Sequence, residues 1–143
     1  MGIGNDRGQA TVELAVVFPA VIIVAVIAMN ALGFFGACAE FDRVARQTAV
    51  AYGAAPDAGQ GSAQVRALLE EELQTAFDAP HLSVAVTVES TTLGLERYRA
   101  QLRYAPTLFG LGLRSEVFGV ALPPLLHETT MVVDHYAPGV VIR

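Results

Sequence analysis

Few side chains in this sequence stand where they could do chemistry. The candidates are three histidines, one cysteine and a run of acids. His81 sits beside a proline turn. His127 and His135 share one face of an expected strand but are roughly 27 Å apart in extended chain, too far to hold one metal ion. Asp134 and His135 are neighbours, so a strand sends them to opposite faces. Cys38 has no zinc partners at the usual spacing. As the sole cysteine it cannot form an internal disulfide. It reads as a small apolar residue closing a span, with an intermolecular disulfide or a lipid attachment as alternatives. Glu70-Glu71-Glu72 reads as a solvated helix face. Gly110-Leu111-Gly112 lacks the third glycine of a dinucleotide loop, and no Gly-x-Ser-x-Gly occurs. No catalytic residue, cofactor or metal is therefore expected. One carboxylate remains, Glu13, set directly against an apolar run.

That run extends from Leu14 to Ala39 and is broken only by Asn30. As a helix it covers roughly 39 Å at about 1.5 Å per residue, against ~30 Å of bilayer hydrocarbon. Three readings compete for it. A secretory signal would be cut at Ala37-Cys38-Ala39, and a lipoprotein signal would end at Phe35-Gly36-Ala37-Cys38. Both ordinarily have a much shorter apolar region. The third reading is a plain anchor. None of the three accounts for Glu13. A carboxylate entering hydrocarbon is costly, and such residues usually carry a function; an interfacial, snorkelling glutamate is the alternative.

The residues before the run separate these readings. Met1 to Gly8 is a short polar leader with Asp6 and Arg7. Gln9 follows, and Glu13 is the fifth residue after Gly8. This pattern resembles a class III signal, in which a membrane peptidase cuts after the glycine and leaves the apolar helix on the mature chain. Arg7-Gly8-Gln9-Ala10-Thr11-Val12-Glu13-Leu14-Ala15, followed by Phe18-Pro19 and a Val/Ile/Ala run, more specifically resembles the TadE-like family. These are minor pilins, or pseudopilins, of the tight-adherence (Flp) pilus system. The likeness covers residues 7 to 52. Leu14 departs from the tyrosine usual in the major pilin, which points to a minor subunit.

The resemblance implies a cut between Gly8 and Gln9 by a prepilin peptidase. It also implies partnership with other pilin subunits, an assembly platform and membrane lipid. The N-terminus would be cytoplasmic and the rest extracytoplasmic, in a single-pass cell-membrane protein that can enter a pilus. A cut frees an α-amino group on Gln9, which can meet Glu13 of a neighbouring subunit. Buried charges are costly unless paired, so such a contact sets register more than it adds net stability. Pro19 lacks an N–H and should loosen the helix at Ala15. Gly33 and Ala37 form a small-xxx-small pair suited to close helix contact.

The remaining elements must display or position this helix. Phe41, Val44, Ala45, Thr48, Ala49 and Tyr52 mark one face of a continuing helix. Gly53 and Pro56 end it. The expected division is a leader at 1–8, a transmembrane and assembly helix at 9–39, its amphipathic continuation at 40–53, a linker at 54–61 and a head at 62–143. A second helix spans about Ser62 to Asp78, capped by Ser62, with Val65, Leu68, Leu69, Leu73, Ala76 and Phe77 as its apolar stripe. Leu82, Val84, Val86 and Val88 alternate with polar residues. So do Tyr98, Ala100, Leu102 and Tyr104, and together these predict an antiparallel hairpin turning at Ser90–Gly94. Arg97, Arg99 and Arg103 lie opposite, either as a basic stripe for an acidic partner or as an exposed face balanced by Glu89. Pro106 to Pro124 reads as a loop or short helix over the sheet, or as an apolar contact for another subunit. Leu126 to Tyr136 forms a last strand, with Leu126, Thr130, Val132 and Tyr136 on one face.

The expected fold is thus α+β and pilin-like, with a long N-terminal helix, a second helix and about three antiparallel strands. The 143-residue chain has a net charge of −5, which argues against a nucleic-acid partner. Its nine basic residues are all arginine, so it offers no lysine amine for an isopeptide-linked surface polymer. The expected function is that of a non-enzymatic, peptidase-processed minor pilin. The alternatives are an unprocessed single-pass protein with a partner-binding outer domain and a domain released after Ala39.

Overall fold

The computed structural model describes residues 6–53, 60–91, 95–108, 116–117 and 120–134. The architecture is α+β: a long apolar helix, a second helix and a three-stranded antiparallel sheet. Helix α1 runs from Asp6 to Gly53, 48 residues without interruption, and Pro19 lies inside it. Its segment from Gly8 is long and apolar enough to cross a membrane. Residues 8 to 24 are exposed throughout. From Val26 onward one face turns inward, and Phe41, Ala45, Thr48 and Ala49 are buried, as their helical spacing requires.

Helix α2 spans Ser62–Ala76. The residue capping it is Gly61 rather than the expected Ser62. Gly61 donates its N–H to the Gln64 side chain at 3.0 Å, so the polar side chain that closes this end lies at Gln64, inside the first turn. Val65, Leu69 and Leu73 bury one stripe, and Phe77 follows at the C-cap. Ala76, expected on that stripe, is exposed.

Strands β1 (Leu82–Ser90) and β2 (Leu95–Tyr104) pair in the register that brings Val86 opposite Ala100. β5 (Leu125–Asp134) pairs with the other edge of β2, so β2 is central. Leu126, Thr130 and Val132 share one face of β5, as expected, and it is the outer one. Leu126 and Val132 are exposed, at 70% and 57%, while Thr129, Met131 and Val133 face the core. A short second ladder joins β3 (Glu116–Val117) to β4 (Val120–Ala121), where the sequence suggested a loop or helix. The core lies between the sheet on one side and α1 with α2 on the other. Phe41 meets Phe77 edge-on at 5.4 Å within it. The leader at 1–5, most of the linker (54–59), the turn at 92–94 and residues 109–115, 118–119 and 135–143 lie outside the described residues. These include His135 and Tyr136.

Candidate functional site

Gly8 and Gln9 fall in the first turn of α1. A Cβ added at Gly8 would meet nothing within 4 Å, so packing does not demand glycine there. One turn on, Gln9 donates from its side chain to Glu13 at 3.4 Å, and both residues are exposed. Among the described residues no ion pair involves Glu13. Val12, Leu14, Val16, Val17 and Phe18 surround it, each more than half exposed. The described fold thus leaves Glu13 as one carboxylate on an uncovered apolar rod, with Pro19 further along the same bare stretch.

The next group lies where head and helix meet. Asn30, the only polar residue in the apolar run, donates to the Thr107 carbonyl at 2.8 Å and accepts from the Thr107 N–H at 2.8 Å. It also donates to the Val26 carbonyl one turn back, at 2.9 Å. The amide is thereby satisfied inside an apolar setting. Its place in the sequence marked it as unusual, but its partner lies 77 residues away. Gly33 faces Tyr104, and a Cβ there would come within 2.8 Å of the tyrosine oxygen. Phe34 meets the same ring at 5.7 Å. Ala37 packs against the head core. Gly33 and Ala37, expected as a pair for close helix contact, thus lie where the chain's own head approaches α1. The head reaches α1 from about Val26.

Further up, His127 on β5 pairs with Asp42 on α1 at 2.9 Å and stands edge-on to Phe41 at 6.3 Å. His81 packs against Tyr104. Both histidines join elements of the head to each other or to α1. Among the described residues no group of three or more His, Cys, Asp or Glu could hold a metal ion. The acidic run also has structural duties. Glu70 pairs with Arg66 at 2.6 Å, and Tyr52 of α1 donates to Glu72 at 3.3 Å. Arg99 lies between Glu89 at 3.6 Å and Glu128 at 3.0 Å, so the middle of the arginine stripe is balanced within its own sheet. Tyr98 is fully buried and donates its hydroxyl to Glu96. Burial first, then the neighbouring carboxylate, pushes its phenol well above the usual range.

Comparison with family models, curated proteins and solved structures finds no match to this chain.

Proposed function

We propose that this chain is a TadE-like minor pilin precursor. It is cut after Gly8, held in the cell membrane by α1 with its head outside the cytoplasm, and drawn into a tight-adherence or related secretion fibre. The observation that carries the reading is the state of Glu13. It is exposed, has no ion pair among the described residues, and lies on a bare apolar helix one turn from Gln9. A carboxylate so placed is costly in lipid unless a cation meets it. The amine released on Gln9 of a neighbouring subunit is such a cation. Other subunits, the peptidase and the assembly platform are the partners this implies.

The test is the mass of the mature N-terminus in cells carrying a matching prepilin peptidase. A chain beginning at Gln9 is expected. An uncut chain would favour a single-pass membrane protein with a partner-binding head, and a chain beginning at Glu40 would favour a released domain. Glu13→Ala should retain the anchor and lose surface assembly. Assembly at the wild-type level would remove the register role assigned to Glu13.

A further inference from the structure

Helix length sets a problem that the head's lower rim answers. A helix needs about 20 residues to cross ~30 Å of hydrocarbon. Counted from just after Glu13, that reaches about Gly33. The head, however, already covers α1 at Val26, which is 6% exposed. Head and outer leaflet must therefore overlap along about Ile23 to Gly33. The rim of the head at that level is apolar. A cleft of about 340 Å³ opens there between Ile23, Ile27 and Ala31 of α1 and Pro106, Leu122 and Leu125 of the head. Its one polar lining residue, Asn30, has both ends of its amide occupied by Thr107. The cleft thus offers nothing to a headgroup or a solute, only apolar surface beside a helix face that remains open at Ile27 and Leu32.

We infer that this cleft holds one acyl chain of an outer-leaflet phospholipid, so that the head rests on the bilayer with a lipid tail between its rim and α1. Burying apolar surface against a tail inside the leaflet fills the gap without removing any hydrogen bond from the head. The inference rests on the membrane-anchor part of the proposed function.

The chain has no tryptophan, so single reporters can be introduced into the full-length protein. Pro123→Trp sits at the cleft, Phe18→Trp in the bare helix, and Gln74→Trp on the exposed face of α2. Each is measured in vesicles of phosphatidylcholine, plain or brominated near the carbonyl end of the acyl chain. Pro123→Trp should lose roughly half its emission to bromine, with Gln74→Trp unaffected. Adding Ala31→Phe, or separately Ile27→Phe, should fill the cleft and clearly reduce that quenching. If Phe18→Trp is quenched and Pro123→Trp is not, the inference fails while the anchor stands. Quenching of Pro123→Trp that neither filling variant alters would mean contact with the bilayer without a held chain, and also overturns it. If neither reporter is quenched, the anchor falls as well. An unquenched Pro123→Trp with Ile27→Cys chains crosslinking in a Cys38→Ser background would assign the cleft to a second copy.

Discussion

Asn30 and Thr107 exchange two hydrogen bonds across 77 residues of chain, each 2.8 Å long. This closed pair fixes how far the head sits along α1. Replacing Asn30 by leucine removes both bonds and leaves the Thr107 N–H and carbonyl without their partner in a half-buried setting. The expected loss is about 1–3 kcal/mol. Amide exchange at Thr107 should accelerate accordingly, while exchange at Leu102 in the central strand should change much less. Equal acceleration at both sites would show that the pair is not a local clamp.

Gly33 and Tyr104 give a prediction whose sign depends on the background. Alanine in a helix is favoured over glycine by about 1 kcal/mol. At Gly33, however, its methyl would lie 2.8 Å from the hydroxyl of a tyrosine that is only 6% exposed, and such overpacking costs about 1–3 kcal/mol. Gly33→Ala should therefore destabilise the wild type. With Tyr104→Phe the offending oxygen is gone and the next ring atom lies 3.7 Å away, so the same change should become neutral or stabilising. A double-mutant cycle by denaturant unfolding in detergent reads the coupling directly.

Gly8→Ala separates folding from processing. The site is open, so unfolding should be unchanged or slightly improved. Cleavage should nevertheless fall strongly if a peptidase reads this glycine. Normal cleavage of the alanine variant would show that glycine is not what marks the site.

Tyr98 predicts an alkaline limit on the head. Its phenol has a raised pKa when folded, so the folded state holds the proton more tightly than the unfolded chain does. The associated stability is complete below the ordinary tyrosine value of about 10 and drains away as pH climbs above it towards the folded value. Tyr98→Phe should lose the bond to Glu96 at neutral pH yet flatten the decline of unfolding free energy above that point. An unaltered alkaline slope would assign the decline to other groups.

Much of this fold was legible because its signals are local. The inward face at Phe41, Ala45, Thr48 and Ala49 follows from helical spacing, and the β1–β2 pair follows from alternation. β5 was harder because apolar residues occur on both of its faces: Leu126 and Val132 outside, Met131 and Val133 inside. With a period of two, choosing the wrong set inverts every side chain. Gly33 and Ala37 show a different limit. Their small size announces a close approach, but not whether a second helix or the chain's own Tyr104 makes it. Asn30 likewise announced a need for partners that only the tertiary fold could supply.

β2, the central strand, has β1 on one side and β5 on the other, and β5 comes after both in the chain. The chain is made from the N-terminus, so α1 is complete long before Met131 and Val133 exist to cover its inner face. Until then one edge of β2 is unpaired and Phe41, Ala45 and Ala49 lack part of their cover. Contacts this distant in sequence form slowly, and exposed strand edges invite wrong pairing in the interval. The head is therefore most vulnerable before β5 is made, and truncation within β5 should produce aggregates rather than a smaller folded domain.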